Sequence, residues 1–243
     1  MSGPPDSSPN PLARDAFDRL ADGYDRSGET KPSNAYLERP ATLSLVPAVD
    51  GEQILDAGCG AGHLAAELTD RGAGVVGVDV SHEMLAHAQN RAPDADFALA
   101  DLGSWLPFHD GSFDGIVSSL AFHYVVDWGP LFRELDRVLR SDGWIVCSVQ
   151  HPFADFTEYD DAENYHAVER VSATWHSFGE TVDVPTYRRP LSAMLEPAHR
   201  ASFTLDRLVE PTPTDTFQRV DPATYEYEAT NPNFLCLRFH RDG

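Results

Sequence analysis

The sequence predicts a doubly wound α/β domain built on a mostly parallel sheet. Three observations predict it. Short apolar, strand-like runs alternate with helical segments from residue 53 to residue 149. A turn carrying Gly58, Gly60 and Gly62 joins the first strand to the first helix of that alternation. Acids follow each of its first three strands: Asp56, Asp79 and Asp101. Strands joined through helices pair in parallel, with helices covering both faces.

Taken in order, residues 1–11, MSGPPDSSPNP, read as a disordered tail. They hold no basic region followed by an apolar stretch, so no secretory signal is visible. The rest, 12–243, reads as one domain. Leu12, Phe17 and Leu20 have roughly helical spacing over 12–22, with Gly23 following. A second helix over 34–46 is interrupted near Pro40. The alternation then gives strands at 53–55, 75–80, 97–100, 113–120 and 144–149. Helices fall at 62–71, at 82–91 behind Ser81 as N-cap, and at 129–140. Residues 151–190 are rich in aromatics and acids without a clean period, and read as a lid or substrate-pocket insertion. A helix near 191–200 precedes strands near 202–210 and 233–240, joined by a proline-rich, turn-rich segment, 211–232. Two strands without a helix between them predict an antiparallel pair closing the sheet.

The chain has 243 residues, 42% of them hydrophobic, enough for one sizeable core. No run is apolar and long enough to span a bilayer. Cys59, Cys147 and Cys236 are an odd number with no zinc spacing, which suits a reducing cytoplasm. Thirty-nine acids against 18 fixed bases give a net charge of −21, and Lys31 is the only lysine. Such a surface repels itself in dilute buffer, and salt screens the repulsion. It suits a salt-loving source; arginine bias from a GC-rich genome is the other reading. The acidity argues against nucleic acid as a partner.

Glycines at 58, 60 and 62 let a ligand approach the backbone. GAGHLA also fits a variant of the dinucleotide fingerprint, so a nicotinamide-dependent oxidoreductase is one reading. A nicotinamide site would use Asp79 for ribose hydroxyls but has no particular need for Asp56 or Asp101. Three acids around one crevice suit a cationic, adenosine-bearing ligand better than a pyrophosphate.

The stretches ILDAGCGAG, GVDVSHEMLAHAQ, ADLGSWLPFHDGSFDGIVSS and RELDRVLRSDGWIV together resemble the class I S-adenosylmethionine-dependent methyltransferases. The nearest branch is the small-molecule one that includes the ubiquinone and menaquinone C-methyltransferases. The resemblance spans about residues 15–150. It implies a Rossmann-like sheet of seven strands with the last antiparallel, and S-adenosylmethionine as cofactor. It implies that Gly58, Cys59, Gly60 and Gly62 face the methionine part, with Asp56 orienting its ammonium. Asp79 would take the ribose hydroxyls, with Val80 and Met84 beside the adenine. Asp101 would accept the adenine amino group, with Leu102 flanking it. Ser119 and Leu120 would lie by the amino-acid portion. Tyr24 would close over the cofactor. Apart from the resemblance, Arg39 in LERPA is a further cofactor-site candidate, either binding an anionic group or pairing with a nearby acid.

The implied reaction moves a methyl group to an O, N or C atom of a small molecule. It needs alignment, water exclusion and sometimes a base. His123, Tyr124 and His151 follow the fourth and fifth strands and are the candidates. Trp175, Tyr187 and Arg188 are candidate substrate contacts, the arginine toward a carboxylate or phosphate or toward a nearby acid. No metal site, membrane contact or nucleic-acid partner is expected. A non-catalytic S-adenosylmethionine-binding protein is the other alternative. The oligomeric state is not legible.

Overall fold

The computed structural model describes residues 12–28, 31–160, 162–176 and 178–242. The tail expected at 1–11 lies outside the described residues. Period-two alternation along the strands builds two cores, one on each face of the sheet. Ile54, Val75, Val117 and Val146 enter one core. Their neighbours Leu55, Val76, Ile116 and Ile145 enter the other.

The sheet runs β3-β2-β1-β4-β5-β9-β8. Strands β1 (Gln53–Ala57), β2 (Gly74–Asp79), β3 (Asp96–Leu99), β4 (Phe113–Ser119) and β5 (Leu139–Gln150) are parallel. β9 (Phe234–Arg241) pairs antiparallel with both β5 and the edge strand β8 (Phe203–Val209). This is the seven-stranded, doubly wound sheet expected from the sequence. Strand order reverses between β1 and β4, which opens a crevice at their carboxyl ends.

Helices α2 (Arg39–Leu45) and α3 (His63–Asp70) supply Leu45, Leu64 and Leu68 to one core. Helices α5 (Trp128–Val138) and α7 (Leu191–Arg200) supply Trp128, Phe132 and Met194 to the other. Each such side chain, fully buried, contributes about 1.5–3 kcal/mol. Helix α4 (His82–Arg91) starts at Ser81, whose side chain accepts from the Met84 amide at 3.1 Å. That satisfies a donor the first turn would leave open.

Four segments differ from the sequence reading. Helix α1 (Arg14–Gly28) runs through Gly23 instead of stopping there. Gly23 is small for another reason: a Cβ would overlap the Phe178 carbonyl oxygen. Residues Asn34–Glu38 form a π-helical turn leading into α2, and Pro40 sits in the first turn of α2, where no amide donor is needed. The insertion holds α6 (Pro152–Glu158) and an antiparallel hairpin, β6 (Glu169–Trp175) with β7 (Val182–Arg188). The hairpin packs Phe178, Val182 and Val184 against Ala16 and Leu20 of α1. The turn-rich segment contains two short helices, α8 (Asp215–Val220) and α9 (Pro222–Glu228), capped by Thr214 and Asp221. Among the described residues no helix is long and apolar enough to cross a membrane.

Gly23→Ala tests this packing. Alanine favours the helix by about 1 kcal/mol. Overpacking against the Phe178 backbone costs about 1–3 kcal/mol. A lower urea midpoint is expected; a higher one would mean that the hairpin yields.

Candidate functional site

The crevice is built around the turn from β1 into α3. Gly58 has φ 80° and Gly60 φ 51°, the left-handed region. A Cβ on Gly58 would overlap Ala121, whereas one on Gly60 meets nothing within 4 Å. Backbone at Gly60 is therefore bare to the crevice. The amides of Gly58 and Cys59 both donate to the Val78 carbonyl, at 2.8 and 2.9 Å, which ties the turn to β2. Asp79, at the end of β2, receives the Gly60 amide on Oδ2 and the Ser81 amide on Oδ1, each at 2.9 Å. Burial nonetheless pushes its carboxyl up.

Asp56 is 1% exposed, and its Oδ2 has no partner among the described residues. Burial, then the neighbouring Asp79, push it up to about 7. A buried acid with an orphaned oxygen beside a half-buried one forms a place for a cation. The ammonium of S-adenosylmethionine fits this donor set, and the bare Gly60 backbone admits it.

Three adjoining cavities make up the crevice. The first, about 710 Å³ of open space, is lined by Gly58, Gly60, Asp79, Val80, Met84 and, opposite them, Asp101, Leu102, Ser119 and Leu120. The Asp101 carboxylate accepts from the Gly103 amide at 2.8 Å and the Ser104 hydroxyl at 3.3 Å. The second, about 670 Å³, lies among Phe17, Lys31, His123, Tyr124, Tyr159 and Trp175. The third, about 420 Å³, holds Asn34, Glu38, Arg39, Asp56, Cys59 and His63. Tyr24 borders all three. Leu120, between the first two, has φ 52°, a strained setting for a side-chain-bearing residue. Gly62 lies outside the lining and caps α3, packed on Ala88.

Glu38 is a site residue that the sequence reading missed. It is 1% exposed. Its Oε1 accepts from Thr42 at 2.8 Å, from Ser119 at 2.9 Å and from Ser148. Burial raises its carboxyl and the three hydroxyls oppose that rise. No periodicity marks it. The partners lie up to 110 residues away in sequence.

The candidate bases divide. His123 lines the second cavity and touches the Tyr124 ring, with centroids 4.4 Å apart. Burial and then Arg189 push it down to about 3, so it is neutral at ordinary pH and a poor proton acceptor. Burial pushes the Tyr124 phenol well up, so it stays protonated. His151 turns away from the cavities. Its Nδ1 accepts from the Phe153 amide at 3.2 Å, capping α6, and its Nε2 pairs with Glu210 at 2.9 Å.

The substrate candidates divide too. Trp175 lines the second cavity. Tyr187 lies on the opposite face of β7 from Val184 and Thr186, away from the cavities. Arg188 is fully buried, bonded to Glu169 at 2.6 Å and to the carbonyls of Asn164, Tyr165 and Ala167. It holds the loop before β6 and has no surface for a ligand.

Residues 55–147 match a family model described as a methyltransferase domain. A demethylmenaquinone methyltransferase of Beutenbergia cavernae is 36% identical over 142 residues, 58% of this chain and 58% of that protein. A malonyl-[acyl-carrier protein] O-methyltransferase of Pectobacterium atrosepticum is 33% identical over 159 residues, 65% of this chain and 58% of that protein. The chain thus spans somewhat over half the length of these two relatives. The crystal structure of an S-adenosylmethionine-dependent methyltransferase from Mesorhizobium loti superposes with a TM-score of 0.67 at 28% identity, covering 88% of this chain and 99% of that one. These likenesses do not favour the nicotinamide reading.

The Asp56 proton gives a measurable signature. The folded chain holds it to about pH 7, against an ordinary value of 3.8. Its contribution to stability is complete below 3.8 and is lost as pH rises through 7. Asp56→Asn, which cannot ionise, should gain roughly 2–4 kcal/mol on the parent between pH 4 and pH 8. Urea denaturation at both pH values, without added ligand, checks this; parallel behaviour would mean that Asp56 ionises freely in the fold.

Proposed function

We propose that this chain is a class I S-adenosylmethionine-dependent methyltransferase and that it methylates a small molecule held in the second cavity. The observation that carries this reading is the shared wall between cavities. Tyr24, Leu120 and Tyr124 border both the first and the second. A donor in one and an acceptor in the other would meet there.

When bound, S-adenosylmethionine supplies an activated methyl group for in-line displacement. The chain's own residues do the rest. Asp79, oriented by the Gly60 and Ser81 amides, would accept the ribose hydroxyls. Asp101 and Leu102 would hold the adenine end, with Val80 and Met84. Asp56 would take the ammonium, and Arg39, which lines the third cavity, would take the carboxylate end. Phe17, Tyr24 and Tyr124 are packed ring to ring, with Phe17 and Tyr124 centroids 5.3 Å apart, and exclude water from the junction. Neutral His123 and the protonated Tyr124 phenol can orient an acceptor by hydrogen bonds. Neither takes a proton readily at neutral pH, so the reading favours a nucleophile that arrives with its lone pair exposed.

Residues 151–190 supply one wall of the second cavity through Tyr159, Trp175, Val184 and Thr186, in keeping with a substrate-pocket insertion. The three cysteines are free and buried, which suits a cytoplasmic enzyme. The net charge of −21 suits a salty cytosol and a partner other than nucleic acid.

Calorimetric titration with S-adenosylhomocysteine, in molar potassium chloride, tests the donor site. Asp79→Ala removes charge-assisted hydrogen bonds each worth about 1.5–3 kcal/mol. Binding should weaken at least tenfold in that variant, and NADPH should not bind. NADPH binding without S-adenosylhomocysteine binding would overturn the reading. Labelled methyl transfer into a small-molecule extract tests turnover.

A further inference from the structure

The second cavity differs from the rest of the chain in charge. Carboxylates outnumber bases more than two to one. Yet among the described residues no Asp or Glu lines this cavity, and Lys31 is the one fixed charge among them. The arginines of this chain readily find acids: Arg19 with Glu180 at 3.0 Å, Arg188 with Glu169 at 2.6 Å, Arg241 with Asp136 at 2.7 Å. Lys31 is half-buried and, among the described residues, no carboxylate lies within ion-pairing distance of it. Its ammonium instead lies over the rings of Trp175 and Phe178, 5.7 and 5.5 Å from their centroids. Glu158 and Glu228 act on it only at longer range. A shortage of acids does not explain why Lys31 has no ion-pair partner among the described residues.

We infer that the second cavity takes an acceptor with an aromatic or flat apolar body and one carboxylate, and that Lys31 binds that carboxylate. The inference rests on the reading of this cavity as the acceptor chamber. The walls fit both halves of such a molecule. Phe17, Tyr124, Trp175 and Phe234 offer ring faces to the body. Ser33, Asn34, Gln150 and Thr186 offer neutral hydrogen-bond groups at the same cavity. His123 adds no charge, since it is neutral there. One ammonium without a guanidinium fork matches a monoanion rather than a phosphate dianion. Desolvation lowers the Lys31 pKa, and an incoming carboxylate would counter that cost.

Because Lys31 is the only lysine, it can be observed alone. Reductive methylation with ¹³C-formaldehyde keeps its charge and gives one lysine signal besides that of the terminal amine. The full-length protein, saturated with S-adenosylhomocysteine, is titrated with benzoate, phenylacetate and cinnamate, with their carboxamides, and with inorganic phosphate. At least one carboxylate should shift the lysine signal saturably, binding at least tenfold more tightly than its amide and than phosphate. Lys31→Met should abolish that preference, and Lys31→Arg should keep part of it. S-adenosylhomocysteine titration of Lys31→Met serves as the folding control. No lysine shift with any carboxylate, equal binding of amides, or equal binding of phosphate would each overturn the assignment. Failure of S-adenosylhomocysteine to bind the parent protein would instead overturn the methyltransferase reading beneath it.

Discussion

One carboxylate oxygen, Oε1 of Glu38, fastens the N-terminal cover to the sheet. It draws hydroxyls from Thr42 on its own helical segment, from Ser119 at the end of β4 and from Ser148 in β5. A buried carboxylate is costly alone, and three donors offset that cost only while the helix and the two strands that supply them stay in register. The π-helical turn that brings Glu38 to this point also sets Asn34 at the crevice. Tyr24 and Lys31 lie on the same cover. The cavities therefore inherit their shape from an interaction outside the glycine turn.

The electrostatics of the crevice run against folding and toward ligand. Buried Asp56 stands close to half-buried Asp79, and the raised Asp56 records the strain. Salt screens the exposed charges of this acidic surface far better than it screens this pair. A cationic ligand relieves it directly. The second cavity is the opposite case: among the described residues that line it there is no carboxylate and a single ammonium. Opposite signs of charge thus stand on either side of Tyr24.

Much of the sheet was legible because its strands obey a simple period. Ile54 and Leu55, or Ile145 and Val146, each feed opposite cores, so continuous apolar runs between turns mark buried parallel strands. The β6–β7 hairpin hid because its inward positions are not uniformly apolar. Along β7 they are Val182, Val184, Thr186 and Arg188, and the last two find polar partners that sequence does not reveal. Two short helices hid among the prolines of 211–232, although Pro222 occupies a first turn where proline is at home. At the site, the glycine turn and the acids after each strand could be read because backbone geometry and strand ends dictate them. His151 occupied the expected position in the chain, but its ring was taken up by a helix cap and Glu210. Glu38 was invisible because its environment is assembled from distant segments.

The first two cavities are encoded by separable stretches of chain. The first draws mainly on residues between Gly58 and Val125, with α1 as a roof. The second takes four of its walls from the insertion between β5 and α7, whose hairpin forms a sheet of its own. Neither β6 nor β7 pairs with the central sheet, so their lengths and side chains can drift without breaking its ladder. Substitutions there could therefore reshape the second cavity while the first persists, and residues 55–147, the span shared with the family model, end before that insertion begins.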